Sequence, residues 1–307
     1  MPDSTDATAS TAEATETAGP TGTAGRRAGA AGAARRTAVV TDGHRGSFDG
    51  CGFYRIDGFA PPEVGLAMLD DVVGLARAAA EPSTSTEHDG AGGPAGTVVL
   101  PESNLAGQAG RPEQVTSKVF RLHRRPAFAS FLAQPDVVEI LVDRIGPDVD
   151  CFLSQFIFKN PGAWGQPWHQ DSFYFPFTPA RPIVGLWLAV TEATLTNGCL
   201  HVLPGSHTEP VHTHVPDRRP GANLGYVEIV DHDMAASEPV LMQPGDLLVF
   251  DSHLMHCSTD NESDGIRAAM VFHFAAAGTV DHTEKVLGRP SNVNDWAPAI
   301  RSSRSVA

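Results

Sequence analysis

Residues 167–177 read PWHQDSFYFPF, and they place one histidine and one acid, His169 and Asp171, two positions apart among proline and aromatic side chains. On an extended segment, side chains at i and i+2 leave the same face with Cα atoms about 7 Å apart. Both can lean onto one ion. An imidazole and a carboxylate so placed supply two corners of the two-histidine, one-carboxylate face that suits octahedral ferrous iron with open positions. The spacing alone is cheap: His207-Thr208-Glu209 and His282-Thr283-Glu284 repeat it with glutamate, and a solvated strand end would look the same. A third ligand must come from a distant segment. The run PGDLLVFDSHLMHCSTDNESDGIRAAMVFHF, residues 244–274, offers two candidates, His253 and His256.

The end of that run is an alternating strand. Arg267, Ala269, Val271 and His273 share one face, and Ala268, Met270, Phe272 and Phe274 share the other. The second set is large and apolar and is expected to pack under helices. The first suits a cavity floor with Arg267 as its fixed cation, and a guanidinium in a cavity calls for an anion, ideally a carboxylate held by two parallel hydrogen bonds.

WHQD at 168–171, WLAVTEATLTNGCLHVLPGSH at 187–207 and the 244–274 run together resemble the phytanoyl-CoA dioxygenase family of iron- and 2-oxoglutarate-dependent oxygenases. The resemblance extends over residues 47–285 and is clearest over 152–274. It implies a mainly β fold with flanking helices, its core a double-stranded β-helix (jelly-roll, cupin-like). It also implies Fe(II) as cofactor, with 2-oxoglutarate and O2 as co-substrates. By the same resemblance His169, Asp171 and His256, rather than His253, are the metal ligands and catalytic centre. Arg267 holds the far carboxylate of 2-oxoglutarate, and Ser258 and Trp187 are further co-substrate contacts. Gln155 and Lys159, on one face of the preceding strand, are candidates for co-substrate or substrate. The implied reaction is hydroxylation of a partly apolar small molecule with release of succinate and CO2. Related halogenases carry a small residue in place of Asp171, so the aspartate favours hydroxylation over halogenation; desaturation, ring closure and epimerisation by the same oxidant stay open. Two other readings remain: a cupin-type metalloenzyme that does not use 2-oxoglutarate, and a silent binding protein on the same scaffold. His207 reads as structural, and His201, His212, His214 and His232 as solvated.

The elements that position these residues change character along the chain. Residues 1–46 are Ala, Thr and Gly-rich with almost nothing large to bury, which predicts a disordered tail ahead of a single domain over 47–307. GFYRIDGF reads as a strand. Pro61-Pro62-Glu63 opens a helix whose buried face is Val64, Met68, Leu69, Val72 and Leu75. Residues 81–113 read as a long loop, a candidate lid. PAFASFLAQPDVVEILVDRIG predicts two short helices broken at Pro135. Short strand-like runs then fill the core at 150–275: helices first and many strands afterwards.

The net charge of −14 disfavours nucleic acid and anionic membranes as partners and leaves a small-molecule substrate. The four cysteines are irregularly spaced, and neither a CxxC pair nor an apolar run of about 20 residues occurs. This predicts reduced thiols in a cytoplasmic protein. Nineteen arginines against three lysines point to a GC-rich bacterial genome and to specialised metabolism.

Overall fold

The computed structural model describes residues 38–81, 96–105, 107–108, 110–222 and 224–302. The segment before residue 38 and the 82–95 part of the anticipated lid lie outside the described residues. In chain order, α1 (Asp42–Cys51), β1 (Phe53–Ile56) and α2 (Pro62–Ala80) are followed by β2 (Val98–Pro101), β3 (Thr116–Phe120), α3 (Pro126–Leu132) and α4 (Pro135–Arg144). Then come β4 (Val149–Lys159), β5 (Phe177–Thr178), β6 (Ile183–Ala189), β7 (Leu200–Val202), β8 (His214–Pro216) and β9 (Val227–Ile229). The chain continues through β10 (Glu238–Val240), β11 (Leu247–Asp251), β12 (His256–Ser258), β13 (Arg267–Ala276), β14 (Val280–Asp281), α5 (Thr283–Leu287) and β15 (Ala297–Ile300).

Among the described residues the main sheet runs β1-β11-β6-β13-β4-β3-β2, with β15 also on β4. Opposite it stand the shorter sheet β10-β7-β12 and the pairs β5-β14 and β8-β9. All these pairings are antiparallel. The result is the two opposed sheets of a double-stranded β-helix, with the helices packed on the outside of the main sheet.

The alternation of β13 decides both faces of that sheet. Ala268, Met270, Phe272 and Phe274 join Met68 and Val72 of α2, Phe128 and Phe131 of α3, and Val137, Ile140 and Leu141 of α4 in one apolar cluster. Phe131 stacks on Phe272 with ring centres 5.8 Å apart. The opposite face, with Ala269, Val271 and Trp187, belongs to the cluster between the two sheets. Gly65 of α2 lies against Val190, where a Cβ would meet the backbone at 3.2 Å; the helix can approach that closely because it has glycine there.

Two boundaries differ from those expected. Order begins before residue 47: Thr41 caps α1 by accepting from His44 N, and Val40 is buried and donates its N–H to Glu139. Composition hides this, because a single buried valine and a capped polar helix carry no apolar run. Residues 98–101 are not loop but the edge strand β2, paired to β3. Four residues among Gly and Pro are too few to show a period. No helix among the described residues is long and apolar enough to cross a membrane, and all four cysteines are free.

Candidate active site

Backbone pairing brings the first and last expected ligands together. His169 N donates to His256 O and His256 N to His169 O, both at 2.9 Å, so the segment holding His169 adds an extra rung beside β12. Cross-strand partners sit on the same face, and the two imidazole centres are 4.2 Å apart. Asp171, at the start of a single helical turn, reaches the same point. Its Oδ1 lies 3.4 Å from His169 Nε2 and 3.9 Å from His256 Nε2, and the three donor atoms all fall within 4.8 Å of one another. The edge of an octahedron with ~2.1 Å bonds is about 3 Å, so an ion would draw the set in only slightly.

The rings are already oriented for such an ion. His169 Nδ1 donates to Pro167 O at 2.8 Å and His256 Nδ1 to Leu254 O at 2.9 Å. A carbonyl can only accept, so each Nε2 is left as a lone pair turned toward Asp171. Burial, and after it the neighbouring His169, push the His256 imidazole down to about 4, which keeps it in the neutral form that ligates. Burial alone would raise the Asp171 carboxyl, but His273, His256 and His169 around it hold it well below the usual carboxylate range. The Gln166 amide Nε2 lies 2.8 Å from His169 Nε2, a donor standing where a cation would. The donor set, two imidazole nitrogens and one carboxylate oxygen, fits ferrous iron.

Arg267 faces this cluster across the cavity floor. It is fully buried: its Nε donates to Gly198 O at 3.0 Å, and its Nη1 has no partner. A buried guanidinium with an unmet donor is suited to take an anion. Burial pulls it down to about 10, still charged at neutral pH. Trp187 lies over it, the ring centre 5.7 Å from the guanidinium carbon. Lys159 is β4's partner to Arg267 in the register. It is buried and donates to Ser258 Oγ at 2.7 Å and to Thr259 O, and burial followed by the nearby Arg267 pushes its ammonium well down. Gln155 lines the cavity four residues earlier on the same face. All eight expected residues therefore border one cavity of about 640 Å³. His253 is turned elsewhere, with its Nδ1 2.7 Å from Ser172 Oγ.

Several residues escaped the sequence. His273 was legible as cavity-facing but not as a partner: its Nε2 lies 2.7 Å from Asp171 Oδ2, inside a box of Phe152, Phe175 and Phe250. Lys118 of β3 lies on a strand with no alternation to reveal it. It is buried, donates to Gln166 Oε1 at 3.2 Å and stands 4.7 Å from the Tyr226 ring centre. Burial brings it down to about 8. Gln170, between the two ligands, is wholly buried and donates to Pro210 O and His253 O while accepting from His212 N. The four histidines expected in solvent are half-buried instead. His214 stacks on Phe173 at 4.4 Å and accepts from Gln170 N.

The model of the family described as phytanoyl-CoA dioxygenase (PhyH) matches residues 48–269. The chain belongs to this family. Among curated PhyH relatives, the peroxisomal phytanoyl-CoA dioxygenase of Bos taurus is 34% identical over 171 residues, covering 54% of this chain and 51% of that protein. The chain thus spans about half the length of the curated relatives it matches. EvdO2 from Micromonospora carbonacea var. aurantiaca, solved with 2-oxoglutarate, superposes with a TM-score of 0.55 at 23% identity, over 79% of this chain and 93% of that one. The epimerase SnoN, solved with Fe3+, alpha-ketoglutarate and nogalamycin RO, gives 0.58 at 16% identity, over 81% and 86%. At such identities these two likenesses establish the PhyH-type double-stranded β-helix alone. Iron and 2-oxoglutarate are the cofactor and co-substrate typical of the PhyH family.

Proposed function

We propose that this PhyH protein is an Fe(II)- and 2-oxoglutarate-dependent hydroxylase of a partly apolar small molecule, with succinate and CO2 as co-products. The observation that carries the reading is the convergence of His169, Asp171 and His256 donor atoms in the cavity whose floor holds the partnerless Nη1 of Arg267. His169 and His256 present their Nε2 lone pairs to the metal, and Asp171 is aimed by His273. Arg267 takes the far carboxylate of 2-oxoglutarate, with Ser258, Lys159 and Trp187 closing around that end and Gln155 beside it. Lys118 provides a second cation for an anion held near the metal cluster. When bound, iron and 2-oxoglutarate together activate dioxygen for attack on a substrate C–H bond. The protein's share is to hold that bond in place and keep water off it.

The apolar side of the cavity, including Leu100, Phe120, Leu153, Ile157 and Phe173, supports a substrate with a hydrocarbon face. Asp171 fills the corner a halide would need, which supports hydroxylation over halogenation. Phytanoyl-CoA is not carried over from the relatives' names, because one fold and one metal site serve many substrates. The nineteen arginines against three lysines support a bacterial specialised metabolite, and the four free cysteines support a cytoplasmic setting. The test is anaerobic addition of Fe(II) and then 2-oxoglutarate. A weak visible charge-transfer band is expected, absent in His169→Ala and weakened in Arg267→Ala. A wild-type protein that binds iron without developing the band would overturn the reading in favour of a cupin-type enzyme that does not use 2-oxoglutarate. Succinate release over a panel of metabolites then narrows the substrate.

A further inference from the structure

A second group of metal-competent side chains stands apart from the cavity. Glu209 and His212 precede β8, Asp231 and His232 follow β9, and these two strands form a hairpin. The donor atoms of Glu209, His212 and His232 lie within 4.8 Å of one another, and all three residues are half-buried. Glu209 Oε2 is 2.8 Å from His212 Nε2 and 3.2 Å from His232 Nε2. These separations are close to the edge of about 3.3 Å in a tetrahedron with ~2.0 Å bonds.

The other ring nitrogens explain why a cation is called for. His232 Nδ1 lies 2.9 Å from Asp233 O, and a carbonyl can only accept, so this nitrogen donates. His212 Nδ1 faces Asp231 Oδ1 at 3.4 Å, a carboxylate behind the ring. With its Nδ1 donating, the His232 ring turns its Nε2 toward the Glu209 carboxylate, so an acceptor there faces an acceptor. His212 Nε2 meets the same carboxylate at 2.8 Å, either as an N–H donor or, with the Asp231 carboxylate behind the ring, as a second lone pair. A single divalent ion satisfies all three donors at once, and the carboxylate–imidazole–metal line through Asp231 and His212 is the arrangement that orients metal-bound histidines.

We propose that Glu209, His212 and His232 form a second divalent-metal site of the four-coordinate type zinc takes, separate from the His169, Asp171 and His256 cluster. Its place in the fold gives it a task. The ligands come from the two open ends of the β8–β9 hairpin, and Val227 on β9 and Tyr226 just before it line the cavity. The ion clips the hairpin shut and so fixes one cavity wall. The same segment is tied to the catalytic cluster by Gln170, which accepts from His212 N at 2.8 Å and donates to Pro210 O at 3.1 Å.

The test uses the full chain stripped of metal, loaded with excess Zn(II) or Co(II), desalted and assayed for bound metal. Wild type is expected to hold two equivalents. His169→Ala/His256→Ala, which dismantles the first cluster, is expected to keep one, with the intense visible absorption of tetrahedral Co(II). Adding His232→Ala or Glu209→Gln to that background removes it. Glu209→Gln preserves size, so it carries the comparison if His232→Ala loses its circular dichroism. Failure of the double variant to hold metal, or equal metal with and without Glu209→Gln, overturns the proposal and leaves histidines hydrogen-bonded to Glu209 as the arrangement. Failure of the oxygenase reading would show separately, as iron binding in wild type with no band on adding 2-oxoglutarate.

Discussion

At the scale of single residues, Asp171 shows how far a proposed ligand depends on what stands behind it. One carboxylate oxygen faces His169 and His256, and the other is held by His273 at 2.7 Å. Partners behind a ligand typically govern ten- to hundredfold in metal affinity. His273→Ala is therefore expected to weaken Fe(II) binding by about that factor in an anaerobic titration, while the far-UV spectrum stays that of a folded protein. Lys118 makes the opposite kind of prediction. Burial lowers its ammonium from 10.5 to about 8, so the folded state gives up the proton while the unfolded chain still holds it. The charged form is thus a cost to folding at neutral pH that fades as pH rises from about 8 to 10.5. Lys118→Met is expected to stabilise the metal-free protein at pH 7, on the order of 2 kcal/mol by denaturant titration, and to impair turnover. A variant that is less stable than wild type would show that the ammonium is paired rather than stranded.

At the scale of elements, two strands do most of the positioning. β13 turns one row into the helices and the other into the cavity, and the two rows can be separated by experiment. Phe131→Ala opens a hole beneath α3 where it stacks on Phe272, and is expected to cost about 3–5 kcal/mol of stability. The charge-transfer band at saturating 2-oxoglutarate should survive below the unfolding transition. Gly198 belongs to the other row's surroundings. Its φ is +84°, its carbonyl accepts from Arg267 Nε, and a Cβ there would lie 2.5 Å from Thr259 O and 2.6 Å from Lys159 Cδ. Gly198→Ala combines a disfavoured backbone with a collision beside Arg267, the proposed anchor of 2-oxoglutarate. It is expected to raise the 2-oxoglutarate concentration needed for the band by at least tenfold, with a smaller effect on Fe(II) binding alone.

At the scale of the whole molecule, the site joins segments more than a hundred residues apart in sequence. Gln155 and Lys159 come from β4, Asp171 from the turn beyond it, His256 from β12 and Arg267 from β13. An ion and a co-substrate that bind only when these segments are together must stabilise the fold by mass action. Fe(II) with 2-oxoglutarate under anaerobic conditions is expected to raise the melting midpoint, and chelation to return it. In His169→Ala/His256→Ala the part of the rise that depends on 2-oxoglutarate should vanish; if adding 2-oxoglutarate to Fe(II) still raises the midpoint there, the co-substrate acts elsewhere.

The types of the proposed ligands, the two-sided strand that carries Arg267 and the order of the motifs were determined by the sequence alone. These are local properties: a carboxylate's chemistry and a two-residue period do not depend on what lies across the sheet. The choice between His253 and His256 needed family resemblance, because spacing treats both alike; in the structure it is His256 that pairs across the strands with His169. Lys118, Gln166 and the hold of His273 on Asp171 were invisible, as was the meeting of Glu209, His212 and His232. Each depends on a pairing or packing between distant segments. Such contacts are fixed by how two sheets close over a shared core, which no local pattern encodes.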